Sequence, residues 1–310
     1  MFEAIRKFFA RLFGWEKQED ISSGASARSI ERVGFSESEL EHEDAASLPD
    51  DVTFTVIEPS GAATRSASTR RLDVGDVIEV DEPAPVDIVT ITNPKFLWCL
   101  DNGHGRLQAG KRSPVWSDGK QLEEWKFNRQ IVKRIMDKLA GTGVQLYNVV
   151  PEEDVDHFLP ERVARANNLV STLGLPKIFV SIHGNAAAPS ASGLETWYHV
   201  NSSAGVRLAS VFQRHIVREL RTESGTHIWR DRGIMCHANP NQAFYVLRQT
   251  SMPSVLTENG FYTHEPECRI MLSEAGQEKI AMAHVKAILE IERDGYTNAP
   301  IYNPNRRLSL

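Results

Sequence analysis

Several apolar, strand-like segments of this sequence each lead directly to a histidine or a glutamate. Such residues can bind a metal or transfer a proton, and this pattern limits the folds open to the chain. Sites in open α/β sheets form just beyond the carboxyl ends of the strands. The spacing therefore predicts that these polar residues meet at one edge of a sheet. The segments are Lys95–Leu100 before His104, Lys177–Ile182 before His183, and Ser254–Thr257 before Glu258.

Segments with helical periodicity alternate with these strands. Residues 121–140 carry apolar side chains at helical spacing, and the strand-like VQLYNVV follows them. Further helices are predicted over residues 161–173, 204–221 and 275–292. Strands that alternate with helices are typical of layered α/β domains. We therefore expect an α/β fold, with a mixed, mostly parallel twisted sheet flanked by helices.

The polarity of the chain changes along its length and predicts four regions. We expect an amphipathic helix over residues 1–20, a linker with a short β element over residues 21–93, an α/β domain over residues 94–295 and a tail over residues 296–310. The apolar face of residues 1–15 has a basic flank, which favours packing on protein. Attachment to a particle or to a membrane surface is the alternative.

Composition excludes several classes of function. The net charge of −6 provides no basic surface for nucleic acid, so no nucleic-acid partner is expected. Three cysteines without a CxxC pair argue against a disulfide framework or a cysteine-rich zinc site. We find neither an apolar run long enough to span a membrane nor a secretory signal, which predicts synthesis in the cytoplasm without a signal peptide.

The strand-end residues fit the needs of a catalytic metal. Catalytic zinc usually takes three protein ligands and leaves one position for water. His104, His183 and Glu124, near the start of the first helix, would supply that set, and Glu258 would accept the proton of the water. The competing interpretation is that each is an ordinary structural residue, since no compact motif such as HExxH is present.

The same segments resemble the zinc-dependent N-acetylmuramoyl-L-alanine amidases of the amidase-3 family. The matching motifs occur in the family's order and span roughly residues 95–292. They are LDNGHG at 100–105, Glu124 with Asn128, ERVARAN at 161–167, SIHGNA at 181–186, SGLETWY at 192–198, DRGIM at 231–235, YVLRQT at 245–250 and PSVLTENGF at 253–261.

The resemblance implies one zinc ion bound by His104, Glu124 and His183, with Glu258 as the catalytic carboxylate. Glu123 adjoins Glu124, so the ligand assignment could shift by one position, although the spacing to Asn128 favours Glu124. The resemblance implies peptidoglycan as the substrate. Supporting or substrate-binding roles are expected for Asn102, Asn185, Glu195 and Arg248. A structural role is slightly favoured for Arg248, and residues 224–245 are a candidate loop over the site.

Two other functions remain open at this stage. A zinc peptidase that cuts within the stem peptide would use the same chemistry. A wall-binding component of a phage tail or related particle, with weak or no catalysis, would explain the N-terminal helix and linker. Either form would act on the periplasmic or extracellular wall, as a lysin or as part of a virion or injection particle.

Overall fold

The computed structural model describes residues 89–153, 157–221 and 229–303. The predicted N-terminal helix, the linker as far as residue 88 and residues 304–310 of the predicted tail lie outside these ranges. Within the described residues, no helix is long and apolar enough to cross a membrane.

A six-stranded sheet with helices on both faces forms the fold, which confirms the predicted α/β class. The strands are β1 (Leu97–Asn102), β2 (Gln145–Asn148), β3 (Lys177–Asn185), β4 (Leu194–Trp197), β5 (Asp231–Met235) and β6 (Ser254–Phe261). The helices are α1 (Glu124–Leu139), α2 (Leu159–Asn168), α3 (Ser203–Arg221), α4 (Tyr245–Gln249), α5 (Glu265–Leu272) and α6 (Glu274–Asp294), with a 3₁₀ turn at Pro240–Gln242.

The strand order is β2-β1-β3-β6-β4-β5. All neighbouring pairs are parallel except β4 with β6, so β4 and β5 run against the other four strands. The carboxyl ends of β1, β3 and β6 consequently lie at the same edge. The sheet is mixed and mostly parallel, as the sequence predicts.

Alternation along the strands divides the core between the two faces of the sheet. Trp98, Leu100 and Val180 point to the face covered by α1, α3 and α6, whereas Cys99 and Phe179 point to the face covered by α2 and α4. This parity also decides the position of the polar residues further along. Ser181 and His183 continue the face of Phe179.

Three predictions need correction. Helix α2 ends at Asn168 rather than Leu173, because the Lys177 ammonium donates to the carbonyls of Ala166, Asn167 and Leu169 and so caps the last turn. Strands β3 and β6 continue beyond Ile182 and Thr257, which places His183 and Glu258 within strands rather than after them. The third correction concerns the proposed loop at 224–245.

Part of that proposed loop is regular structure. Residues 231–235 form strand β5, paired in parallel with β4 at the edge of the sheet. A register shift between Leu194 and Glu195 accommodates the extra residue on β5. Residues 224–228 lie outside the described ranges, so the gating hypothesis stays a prediction.

The segment after α6 packs on the domain up to residue 303, the last described residue. Tyr302 is buried, its hydroxyl donates to Asp231 and its N–H donates to Ser210 on α3. The Arg207 guanidinium also donates to the carbonyl of Ala299. Residues 296–303 therefore pack against α3 and β5.

Candidate metal centre

His104, Glu124 and His183 come together at the carboxyl edge of the sheet. One ligand atom from each lies within 4.8 Å of the others. The Glu124 Oε1 is 3.3 Å from His104 Nε2 and 3.2 Å from His183 Nδ1. The two imidazole rings meet edge to face, with centroids 4.8 Å apart. Glu124, and not Glu123, turns its carboxylate to the imidazoles.

Three different elements deliver these side chains. His104 follows β1, Glu124 opens α1 and His183 lies near the end of β3. Glu124 also accepts a hydrogen bond from the N–H of Gly184, next to His183. Long sequence separations are thus closed by the parallel pairing of β1 with β3 and by the packing of α1 against both.

The backbone at His104 is held in a left-handed conformation, with φ of 64°. Such a conformation is uncommon for a residue other than glycine and needs support from its surroundings. The guanidinium groups of Arg129 and Arg162 both donate to the His104 carbonyl, at 3.0 and 2.7 Å. Asn128 donates to the neighbouring carbonyl of Gly103.

Gly103 leaves room for the His183 ring. A Cβ atom added at Gly103 would lie 2.1 Å from His183 Cε1 and 2.2 Å from Nε2, closer than any real contact. Glycine is therefore required here for close approach of backbone to imidazole.

The surroundings of Glu124 favour its ionised form. Burial opposes ionisation of Glu124, but the charges and hydrogen bonds of His104 and His183 outweigh it and lower the pKa of this carboxyl below its usual range. Burial also lowers the pKa of His183, despite its bond to Glu124. Two imidazole nitrogens and a carboxylate oxygen that converge in this way are the donor set that zinc takes in catalytic sites, so the residues fit the metal that the sequence implies.

A buried ion pair lies behind the cluster. Asp101 accepts from Arg162 Nη1 at 2.7 Å and from Ser181 Oγ at 2.7 Å, and both charged side chains are almost fully buried. Burial would raise the pKa of Asp101, but the Arg162 charge and the Ser181 bond hold it below its usual range. Local sequence signals do not single out Asp101, Arg162 or Ser181. Strand parity, however, places Ser181 on the same face as His183.

Glu258 lies beside the cluster on the same face of the sheet. It is directly opposite His183 in the β3–β6 ladder and directly opposite Glu195 in the β4–β6 ladder. Directly opposed residues of neighbouring strands project to the same side and lie close together. Glu258 is only 8% exposed. Asn259, the next residue, points away and donates to the His183 carbonyl.

The structure separates the four predicted supporting residues. Asn185 donates to Glu195 at 2.8 Å, so these two form one group near Glu258. Asn102 instead donates to Asn148 and Val150, at the end of β2. Arg248 donates to the carbonyl of Asn241 within its own segment.

Glu195 also binds two residues that the sequence analysis did not single out. Trp197 Nε1 donates to Glu195 Oε1 at 2.9 Å, and Arg232 Nε donates to Oε2 at 2.5 Å. Arg232 belongs to the DRGIM motif, and its position beside Glu195 depends on the unpredicted strand β5.

A mostly parallel sheet that brings two imidazoles and two carboxylates to one edge has the residues that a metal-dependent hydrolase would need. The chain belongs to the N-acetylmuramoyl-L-alanine amidase family, which its residues 99–290 match. It is accordingly an amidase that acts on peptidoglycan.

Relatives and solved structures agree with this family. The chain is 36% identical over 193 residues to the uncharacterised protein YqiI of Bacillus subtilis, a match covering 61% of this chain and 81% of YqiI. It is 32% identical over 200 residues to the endolysin of Bacillus phage SPP1, covering 64% of this chain and 66% of the endolysin. The N-acetylmuramoyl-L-alanine amidase LytC of Bacillus subtilis is 32% identical over 187 residues, which cover 59% of this chain but only 33% of LytC.

Two solved structures share the fold. The N-acetylmuramoyl-L-alanine amidase of Clostridium difficile 630 has a TM-score of 0.54 at 29% identity, covering 65% of this chain and 99% of that one. The amidase AmiC2 of Nostoc punctiforme has a TM-score of 0.52 at 30% identity, covering 64% of this chain and 98% of that one.

Proposed function

We propose that this amidase is zinc-dependent and hydrolyses the amide between N-acetylmuramic acid and L-alanine, with His104, Glu124 and His183 as ligands of one zinc ion and Glu258 as the catalytic acid and base. The observation that carries the proposal is the convergence of three electron-pair donors within 4.8 Å, with Glu258 opposite His183 on the same face.

A zinc ion in such a site would lower the pKa of a coordinated water and polarise the scissile carbonyl. Glu258 would accept a proton from the attacking water and return it to the leaving nitrogen of L-alanine as the carbon–nitrogen bond breaks. The products balance as a lactyl carboxyl group on the sugar and a free amine on the stem peptide. The low exposure of Glu258 shields its carboxylate from bulk water.

Asn185 and Glu195 have a supporting role in this proposal. The Asn185 amide is oriented by Glu195, which is in turn fixed by Trp197 and Arg232. That arrangement holds the strand end next to His183 and presents Arg232 at the rim of the site. Asn102 and Arg248 would stabilise their own segments, because their contacts lie there.

Digestion of purified peptidoglycan tests the proposal. The full chain should release fragments in which the lactyl group carries a free carboxyl and the peptide begins with a free L-alanine amine, as mass spectrometry resolves. A chelator should abolish release, and added zinc should restore it. Cleavage between two amino acids of the stem would favour the peptidase alternative. No cleavage, with binding to the wall retained, would favour the wall-binding component.

We also propose residues 94–295 as the catalytic domain, acting on the periplasmic or extracellular wall. The family match and the described sheet fall within this range. Roles of residues 1–15 in attachment to a particle or membrane stay predictions, and so does a place in a phage tail. Pull-down of the full chain by lipid vesicles, compared with a chain lacking residues 1–15, tests the membrane form of attachment.

A further inference from the structure

Two arginines lie at the start of β5, and that end of the strand lies at the same edge of the sheet as Glu258. Arg230 directly precedes β5 and is exposed, and Arg232 lies within β5 with 27% of its side chain exposed. Asp231, between them, turns toward α3, where it accepts hydrogen bonds from a glutamine and from a tyrosine hydroxyl. The acidic residue of this segment therefore lies away from its two arginines.

Gly193 shows that the two arginine side chains start next to each other. A Cβ atom added at Gly193 would lie 3.0 Å from Arg230 Cβ and 3.0 Å from Arg232 Cγ. Between the partners of Leu194 and Glu195, β5 carries one extra residue, which is Arg232. Such a bulge can redirect a side chain beside a site. Here Arg232 reaches Glu195, to which its Nε donates.

Arg232 uses only part of its guanidinium group within the protein. Its Nε donates to Glu195 Oε2, and the centroid of the Phe261 ring lies 5.1 Å from its guanidinium carbon. Among the described residues, no group accepts a hydrogen bond from either Nη of Arg232 or from the side chain of Arg230. Arginine carries five N–H donors in a planar fork that matches a carboxylate. The Nη groups of Arg232 are therefore available to an anion from outside the protein.

The charges around the two arginines leave room for one more anion. Glu195 compensates one of the two positive charges. A second carboxyl, Glu267, accepts the N–H of Gly193, but burial raises its pKa to about 7. It therefore carries only part of a negative charge near neutral pH. An anion bound by the two arginines would complete the compensation at a place that water reaches.

The distance from Glu258 to the arginines fits the stem peptide of the proposed substrate. Glu258 lies opposite Glu195 on β4, and Glu195 lies opposite Gly233 on β5. Neighbouring strands are about 4.8 Å apart, so the backbone of β5 lies roughly 10 Å from that of β6. An extended peptide rises about 3.3 Å per residue, so the second stem residue would lie about 7 Å beyond the amide that is cut. An arginine side chain that extends from β5 covers the remaining distance.

We propose that Arg230 and Arg232 bind the free carboxylate of the stem residue that follows L-alanine, and that they select acidic over amidated stem peptides. The inference rests on the proposed cleavage of the amide before L-alanine and names the neighbouring group that the site recognises. Arg232 makes the main contact, because Glu195 and Phe261 hold its guanidinium in place, whereas the exposed Arg230 adds charge. Pairs of arginine with carboxylate form strong hydrogen bonds, and their partial exposure to water reduces the effect.

Matched synthetic substrates test this specificity in the full chain. Each is a disaccharide that carries a stem peptide, and the two differ only at the second stem residue, which has a free carboxyl in one and a carboxamide in the other. We expect kcat/KM to favour the acidic substrate by about five- to tenfold. The difference should lie in KM, because the contact is away from the reacting atoms. High ionic strength should reduce the preference, since salt screens exposed charges.

Variants separate the charge of Arg232 from its contact with Glu195. Arg232→Gln should abolish the preference by raising KM for the acidic substrate. Arg232→Lys keeps the charge without the planar fork and should retain part of the preference. Arg230→Gln should reduce the preference by about twofold, because an exposed pair contributes little. Glu195→Gln removes the same ion pair but leaves both arginines, so it should keep the preference even where it lowers stability.

Arg218→Gln is the matched charge control, because Arg218 is exposed on α3, which packs on the other face of the sheet. It should leave the preference unchanged. Equal kcat/KM for the two substrates in the unmodified chain would overturn the inference and leave the amidase proposal intact. A preference that survives when Arg230 and Arg232 are both replaced by glutamine would do the same. Cleavage of neither substrate nor of whole peptidoglycan would overturn the proposed function, and this inference with it.

Discussion

Two buried carboxylates at the same edge of the sheet have opposite surroundings. Glu195 is 3% exposed and receives hydrogens from Asn185, Trp197 and Arg232. Glu124 is 2% exposed and lies against the Gly184 N–H and two imidazole nitrogens, and each imidazole nitrogen can either donate to the carboxylate or bind a metal beside it. A buried charge is stable only when it is paired and hydrogen-bonded or coordinates a metal. The protein's own hydrogen-bond donors therefore satisfy Glu195, whereas Glu124 lies in a position that suits a cation.

The largest expected effect comes from the carboxylate between these two regions. Glu258→Gln should lower kcat on purified peptidoglycan by roughly 10²- to 10⁴-fold, because a proton acceptor and donor is lost. Zinc content and unfolding temperature should stay near those of the unmodified chain. Near-normal turnover of the variant would remove Glu258 from the mechanism.

Replacement of Glu195 should lower the stability of the protein without changing its zinc content. Glu195→Leu would leave Arg232 without its carboxylate partner and the Asn185 amide and Trp197 N–H without their acceptor. We expect a loss of about 3 kcal/mol in the free energy of unfolding, less than for a fully buried pair because Arg232 is partly exposed. Urea unfolding measures it. Zinc bound per chain should not change, and a loss of zinc as large as that of a ligand variant would erase the distinction between the two regions.

A third buried carboxylate, Glu267 on α5, lies between these extremes. It accepts the N–H groups of Gly193 and Phe261, and burial raises its pKa to about 7. A carboxyl with a raised folded-state pKa contributes stability that is fully present below its ordinary pKa and is lost as pH rises through about 7.

The unfolding free energy should therefore fall by up to about 3 kcal/mol between pH 5 and pH 8 through this group. Glu267→Gln should lack that part of the decrease. Urea unfolding of both chains across this pH range gives the difference directly. Equal slopes in the two chains would show that Glu267 is ionised throughout.

The smallest expected effect concerns the close packing at Gly103. Gly103→Ala should weaken zinc binding by about tenfold, because the added Cβ would push aside the ring of His183, a proposed ligand. Gly141→Ala is a suitable control, since its added Cβ meets nothing within 4 Å and its cost is backbone strain alone. It should lower stability by about 1 kcal/mol without altering zinc affinity. Equal zinc affinity in both variants would mean that the ring has room to move.

Periodicity predicts the fold well where local signals are strong. The buried runs of β1, β3 and β6 and the amphipathic α1, α3 and α6 follow directly from apolar spacing. The end of α2 could not be read in this way, because it depends on Lys177 reaching back to three carbonyls. Strand β5 is short and gains its place only by pairing with β4.

The residues of the candidate site also differ in whether local sequence signals reveal them. His104 and His183 each follow an apolar run of the sequence and are therefore visible as candidates. Their partners are not, because Asp101 and Ser181 lie inside the strands and act only through the register of β1 against β3. The sequence does not reveal Arg232 either. Its contact with Glu195 requires the edge strand β5, which short-range patterns do not predict.

Metal analysis of the purified full chain shows directly whether Glu124 helps to hold zinc. We predict close to one zinc per chain in the unmodified protein and in Glu195→Gln, and almost none in Glu124→Ala at the same free zinc concentration. Glu124→Ala that retains a full equivalent of zinc would contradict the account, because the carboxylate between the two imidazoles would then have no part in holding the metal.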